Sequence, residues 1–350
     1  MKYQIEFYRL DVESQEFEYL GNTTSYKGLS FANRLNDLGG ATFQLNLLDS
    51  TCNARNLRKY VNQVAIKKGN SVQFFGPIVD IAGEYDEDGG YADIQCASYL
   101  YHLRSRYTDA SKTYTGAEQS TIAWDLIDTV QGRDNGFLGI QEGTLTTTGV
   151  TRDRTYEYGR VSHLLVNLSN VINGLDFSFT PILDGNNKVT HVNFNTHYPL
   201  GSLRTDMAAL QIGENIKLKN FKTQSPLHNK ITGIGAGLVD PITSTAENTS
   251  LQKAIGRREH IIDKPDISIQ DTLDERVNTY LNEESVDRLG VMIRLYPDRT
   301  PALGEVGLGD RLNLDIEKGE FLKIKRDYRI IGIEVSVDIN DAEVISLQFE

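Results

Sequence analysis

The feature that most constrains this chain is a strand, turn and hairpin unit that occurs twice. The first copy runs from Val64 to Cys96 and the second from Leu314 to Phe349. Both contain Ile-x-Lys-Gly, at Ile66–Gly69 and at Ile316–Gly319. Both continue into a β-rich stretch, a glycine (Gly76; Gly332), and a long hairpin with an acidic turn. The second copy is the longer one before its glycine. A β unit duplicated at this separation predicts two related β domains in one polypeptide.

The 350 residues leave room for two or three domains. With 39% hydrophobic and 24% charged residues, the composition is that of a folded globular chain, not a disordered one. No apolar run approaches the ~20 residues of a membrane span. The N-terminal stretch from Met1 to Ser14 alternates like a strand and does not read as a signal peptide. Neither membrane insertion nor standard secretion is therefore expected. A net charge of −12 argues against wrapping nucleic acid, which needs a basic footprint. It is compatible with nucleic acid sliding past, because an acidic wall repels phosphate. Solubility alone accounts for the same charge. Cys52 and Cys96 make no disulfide framework and read as small apolar residues.

The first hundred residues read mostly as strands. Gly39-Gly40 lies between two β-capable runs and signals a hairpin. Seventeen tyrosines and thirteen phenylalanines favour a β-dominated core. The middle of the chain changes period. From Ser120, the residues Ile122, Leu126, Ile127 and Val130 share a helical face that Gly132 ends. After Gly159, a stripe of Val161, Leu164, Leu165, Leu168, Val171 and Ile172 predicts a second helix stopped by Gly174. A hairpin with the turn Asp184–Asn187 follows. Strands resume at Ile216. The polar stretch Asp240–Gln252 reads as a mobile loop. A third helix is expected from Ser268 as N-cap, with Asp271 three residues later in capping-box spacing. Its expected buried face is Ile269, Leu273, Val277, Tyr280 and Leu281. Near the C-terminus, Ile331, Ile333, Val335, Val337 and Ile339 alternate with Gly332, Glu334, Ser336 and Asp338. Ile345, Leu347 and Phe349 then alternate with polar residues, which predicts a hairpin buried on one face.

The search for chemistry selects nothing. His102, His163, His191, His197, His228 and His260 are scattered, with no His-Glu-x-x-His pair to hold a metal. Asp86, Glu87, Asp88 and Asp93 could suggest a calcium loop, but the EF-hand ligand positions and closing glutamate are missing, and a hairpin turn explains them. Gly233, Gly235 and Gly237 follow a strand, yet no helix N-terminus comes next to hold a phosphate. Small residues permitting close approach of strands are the simpler explanation. There is no Gly-x-Ser-x-Gly elbow. The 48 acidic residues single out no carboxylate pair. No catalytic, cofactor-binding or metal-binding residue is assigned, and no cofactor is expected.

Five segments, in order, resemble the baseplate-hub or tail-tip hub proteins of long-tailed bacteriophages, the siphophage hub family. They are Leu29–Leu47, Val72–Gly83 with its Phe75-Gly76-Pro77-Ile78, Gly213–Gly237, Ala254–Asp263 and Gly307–Ile316. Each is a plain β pattern, and the weight rests on their order along nearly the whole chain. The resemblance implies a β-rich α+β chain with two related β-barrel, tube-type domains, an inserted α+β domain and a helical segment. The expected boundaries are 1–105 for the first barrel, 106–209 for the insertion, 210–238 with 300–350 for the second barrel, and 239–299 for a loop and helix segment.

The resemblance further implies a structural, non-enzymatic virion protein at the tail tip, assembled in the host cytoplasm. Three copies would make a pseudo-six-fold ring that closes the tail tube. The implied partners are a distal tail protein ring, the tape-measure protein, a fibre or spike assembly that binds the receptor, and phage DNA in transit during ejection. The acidic turns Asp86–Asp88 and Asp338–Asp341 are candidate rim positions facing that DNA. Two other readings make different demands. A tail-associated cell-wall hydrolase needs a cleft with paired carboxylates. A carbohydrate-binding module needs clustered exposed aromatics, whereas the lone Trp124 falls on a predicted helix, where core packing is expected.

Overall fold

The computed structural model describes residues 2–86, 89–224, 227–237, 239–265, 267–285, 288–297, 299–320, 322–338 and 342–350. The N-terminal part contributes β1 (Tyr3–Asp11), β2 (Glu16–Thr23), β3 (Lys27–Arg34), β4 (Gly40–Asn46), β5 (Asn62–Lys68), β6 (Ser71–Asp86) and β7 (Gly89–Ala97). A 3-10 turn, Tyr99–Ser105, leads to β8 (Lys112–Glu118), α1 (Gln119–Gln131), β9 (Ile140–Leu145), β10 (Thr151–Tyr156), α2 (Val161–Ser169), β11 (Asp176–Leu183) and β12 (Val189–His197). Next come β13 (Leu210–Gln211) and β14 (Ile216–Gln224), then β15 (Lys230–Ile234), β16 (Thr243–Glu247), α3 (Thr249–Ile255), β17 (Glu259–Asp263) and α4 (Gln270–Glu284). The chain closes with β18 (Arg288–Leu295), β19 (Arg311–Lys318), β20 (Leu322–Val337) and β21 (Glu343–Phe349).

The protein is mainly β, as expected. Eight strands lie side by side in the order β6-β7-β4-β3-β20-β21-β18-β14. Strict alternation builds this sheet. Ala41, Phe43 and Leu45 of β4 and Ile333, Val335 and Val337 of β20 point into one core, while Thr42, Gln44, Glu334 and Ser336 point away. The core is closed from the other side by β1, β5 and β19, through Tyr3, Ile5, Phe7, Val64, Ile66, Leu312, Leu314 and Ile316. One apolar cluster runs continuously under both repeats.

The two sequence copies share their strand connectivity. β6 and β20 each have sixteen residues. The first part of β6 pairs with β5 and the rest with β7; β20 divides in the same way between β19 and β21. The register slips at matching places, past Ile78 opposite Cys96 and past Ile330 opposite Phe349. Both Ile-x-Lys-Gly glycines sit in left-handed turns, with φ 61° at Gly69 and 62° at Gly319. That conformation suits glycine because it has no Cβ to clash. The later glycines are not equivalent. The shared slip places Gly332 opposite Gln348 and Asp80 opposite Gln95, so Gly332 matches Asp80 and not Gly76. Gly76 serves a local need: a Cβ there would lie 1.9 Å from the Ala97 carbonyl oxygen.

The repeats do not close into separate barrels among the described residues. The long strands bend from one sheet into the next, and the strand path ends at β14 on one side and β2 on the other. Several local expectations are also corrected. The stretch 240–252 is not a plain loop. It forms β16, paired with β15, and α3, whose N-cap Asn248 accepts from the Leu251 amide. Ser268 does not cap α4; the helix begins after Ile269, and Gln270 reaches the Thr243 carbonyl and Asp274. α2 stops at Ser169, leaving Val171 and Ile172 beyond it. β18, within the stretch 239–299, joins the eight-stranded sheet between β14 and β21, while β15 pairs with β16 and β17.

The insertion packs α1 and α2 against β9, β11 and β12 in a second core that includes Tyr8 and Phe75 from the first repeat. Trp124 of α1 stacks on Phe194 in this core, 6.4 Å between ring centroids. A third, small core places Leu273, Val277 and Leu281 of α4 over β15 and β17. Gly233 makes that packing possible, since a Cβ there would meet Val277 at 2.4 Å; one at Gly235 would instead meet Ile242 at 2.5 Å and the Ile267 carbonyl at 2.6 Å. Gly233 thus admits a helix, where the sequence suggested close strands.

Candidate functional surface

The face of the eight-stranded sheet turned away from the core is small and polar. Ser30 and Thr42 share a hydrogen bond of 2.9 Å, and Gln44 donates to Asp93 at 2.7 Å. Glu334 pairs with Arg34 and, at 3.5 Å, with Lys219. Lys27 lies over the Tyr91 ring. Ser30, Ala32, Thr42, Gln95, Ser336 and Ser346 line a trough of roughly 450 Å³ on this face. Lys219, Arg294 and Glu334 also line it; Glu334 is shared by Arg34 and Lys219, so the trough is not an acidic wall. Of the expected rim positions, Asp338 is exposed, while Glu87, Asp88 and 339–341 lie outside the described residues.

The two edges of the sheet differ in charge. β14 carries Lys217, Lys219 and Lys222, and among the described residues β18 is its one partner strand. β6 beyond Ile78 has β7 on one side and carries Asp80 and Glu84. The other side of that segment is met at its start by the Tyr60 amide, which donates to the Ile78 carbonyl at 2.8 Å.

Among the described residues, no three His, Cys, Asp or Glu side chains converge as a metal centre would require. His191 and His197 both lie on β12, but a rise of ~3.3 Å per residue sets them about 20 Å apart. His163 is exposed beside Arg160. His197 contacts Ser178 Oγ at 3.0 Å, and burial pushes its pKa down. His228 stacks on His260 at 4.6 Å and meets Glu284 at 3.2 Å. A cleft of about 100 Å³ lies between β10, α2 and α4. Its two carboxylates are engaged: Glu275 by Arg152 and Arg154, Asp153 by the Gly116 amide. Cys52 and Cys96 are free thiols, and burial pushes Cys96 well above its ordinary range.

No family model matches the chain, and no curated protein matches it in sequence. Solved structures do. The 43 kDa tail protein of prophage MuSo2 from Shewanella oneidensis matches with a TM-score of 0.62 at 12% identity, over 99% of this chain and 98% of that one. The chain has the fold of prophage tail proteins. A tail protein from Neisseria meningitidis MC58 gives 0.62 at 9% identity, over 100% and 96%. Prophage tail protein gp18 from Listeria monocytogenes EGD-e gives 0.54 at 15%, over 99% and 94%. These matches run nearly end to end, so the insertion and the small α4 unit belong to the shared fold.

One residue on this scaffold gives a pH signature. His102 is held between the Tyr99 ring and Gln63, with Nε2 donating to Gln63 Oε1 at 3.0 Å. Burial, and secondarily the Arg106 charge, push its pKa down to about 4. The folded state keeps the ring neutral, whereas the unfolded chain protonates it near ~6.5. Its contribution is complete above pH ~6.5 and is lost as the pH falls toward 4. The expected loss is about 2 kcal/mol, reduced from the full shift because the ring is partly exposed. Urea midpoints at pH 7.5 and 4.5 should fall less for His102→Gln than for the parent chain. Equal falls would show that His102 contributes nothing to the acid sensitivity.

Proposed function

We propose that the chain is a structural hub of a phage-type tail, with three copies forming a ring of six β units. One observation carries this reading: the eight-stranded sheet is a four-strand order repeated in tandem. β6-β7-β4-β3 is followed directly by β20-β21-β18-β14. The cross-strand rung Phe31–Ala41–Cys96–Ile78 has its counterpart in Phe221–Val291–Phe349–Ile330. The equivalence also holds at the slip before each rung, between Lys27 and Ser30 and between Leu218 and Asn220. Two units that repeat by a rotation, in place of facing one another, are the building block of a cyclic assembly.

In this reading the ring units are 1–105 and 210–224 with 288–350. Residues 106–209 and 227–285 sit at the periphery, where the distal-tail ring, the tape-measure protein and a fibre or spike assembly would dock. The polar face would line the passage for DNA at the tail tip. Most of that lining is Ser, Thr and Gln, which give phosphates little to hold, and Glu334 offsets part of the charge of Arg34 and Lys219. Function then resides in surfaces and no catalysis is assigned. The test is the copy number in assembled tails, read by cryo-EM or by quantitative mass spectrometry against a six-copy ring protein. Three copies per tail are expected; one copy, or six, would overturn the ring.

A further inference from the structure

We infer that β14 of one copy pairs antiparallel with the outer edge of β6 of the next, in a register fixed by the joint already present inside the chain. This rests on the ring reading above and names the surface that closes it. Within one chain the repeats meet where β3 lies against β20, with Phe31 opposite Val335, Ala32 opposite Glu334 and Ser30 opposite Ser336. The rungs equate Phe31 with Phe221 and Ala32 with Lys222. The shared slip equates Val335 with Gly83, Glu334 with Ala82 and Ser336 with Glu84. The strand equivalent to β3 is β14, and the strand equivalent to β20 is β6. Both are at opposite ends of the sheet, so the same joint is made only between copies. The register that follows is Phe221 opposite Gly83, Lys222 opposite Ala82 and Asn220 opposite Glu84.

The chemistry of the two edges agrees with this register. Lys222 is exposed on β14. On the neighbouring copy it would stand beside Ala82, between Asp80 and Glu84 on the same face of β6. Opposite charges diagonal across an antiparallel pair are favourable, and a small residue directly opposite leaves room for the lysine stem. Asp80 is already paired with Lys59, so Glu84 is the acid with charge to spare. Phe221, 40% exposed, falls opposite a glycine. An aromatic ring across from a strand glycine covers backbone that the glycine leaves bare. Its counterpart Phe31, on the joint made inside the chain, is 3% exposed. Pairing of the edges would bury Phe221 in the same way.

The test is a pair of disulfide variants of the full chain, read in solution and in assembled tails. Lys222→Cys with Ala82→Cys places thiols directly opposite, within the ~4.4–6.8 Å Cα separation that a disulfide needs. Lys222→Cys with Glu84→Cys is the diagonal control, at ~7–8 Å. Mild oxidation should link the first pair into covalent species of up to three chains, with at least tenfold more linkage than the second. A charge test accompanies it: Lys222→Glu should weaken association about tenfold, and adding Glu84→Lys should restore it. If tails hold three copies while the direct pair stays reduced or the diagonal pair links equally, the register is wrong and the ring stands. If tails hold one or six copies and the pair stays reduced, the ring reading falls and this inference with it.

Discussion

Replacing Glu6 by leucine should destabilise the fold by about 3–5 kcal/mol, the usual cost of leaving a buried charge without its partner. Glu6 lies on β1 at 2% exposure, between the lysines of two different parts of the chain. Lys67 of β5, itself 3% exposed, approaches Oε2 at 3.2 Å, and Lys188 from the β11–β12 turn approaches Oε1 at 2.8 Å. Tyr8 donates its hydroxyl to the same carboxylate, and burial, with that hydrogen bond next, pushes the Tyr8 pKa up. Lys67 also donates to the Asn187 carbonyl. Leucine fills the space but leaves two ammonium groups and a hydroxyl facing apolar carbon. The control is Arg9→Ala. Arg9 pairs with Glu18 at 2.8 Å on the surface, at 42% and 37% exposure, and its loss should cost under about 1 kcal/mol. Denaturant unfolding of both variants checks the contrast. A Glu6→Leu chain as stable as Arg9→Ala would mean that the buried cluster contributes no more than a surface pair. The cluster also ties β1 and β5 to the β11–β12 turn, so Glu6→Leu should expose the 184–188 turn to protease before the rest of the chain unfolds.

What the sequence could reveal of this fold follows from the range of the forces involved. Strand alternation is local, and β20 from Ile333 to Val337 and β21 from Ile345 to Phe349 follow it, whereas Ile331 falls in the slip and Ile339 lies outside the described residues. The Ile-x-Lys-Gly repeat is local too, because a left-handed turn demands glycine at Gly69 and Gly319 alike. The matching of β3 with β14 was hidden. In the first unit β3 and β4 are joined by a short turn, while β14 and β18 are separated by the whole β15–α4 excursion. Few identities mark the match beyond Lys27 with Lys217 and Phe31 with Phe221; it emerges from the rungs. Gly76 and Gly332 misled for the opposite reason, since both are strand glycines but each answers a different neighbour. Gly76 faces the Ala97 carbonyl and Gly332 the Arg34 guanidinium. The capping-box spacing at Ser268 was also a false signal: the spacing is present, but the helix starts two residues later. Nothing in the sequence marked Asp176. Its carboxylate takes bonds from Asn36 of the β3–β4 turn, from Arg329 at the bend of β20 and from the Leu200 amide, gathering both repeats and the insertion at one point. Such a node joins residues far apart in sequence and leaves no periodic trace.

The largest functional effect should come from removing the lysines of β14. A strand held ready for a neighbouring copy exposes a row of backbone donors and acceptors, which any other strand can use. Lys217, Lys219 and Lys222 guard that edge, because an unintended strand must bring acids to Lys217 and Lys222, Lys219 being already paired with Glu334. In the proposed joint β6 supplies Glu84 beside Lys222, so the charge that rejects most partners accepts this one. Changing all three lysines to valine would turn the strand into a nearly uncharged run rich in β-branched residues, the pattern of an aggregation segment. The unfolding midpoint should change little, since β14 would still pair with β18 and Ile216 would still be buried in the core. Soluble yield should fall about tenfold or more, with light scattering showing large species in place of monomer or trimer. Arginine at the same three positions keeps the charge and should remain soluble. If the valine variant stays monodisperse at milligram concentrations, the lysines are ordinary surface residues and the edge is protected by other means. If it aggregates while the arginine variant does not, charge on this edge is what confines the strand to its own neighbour.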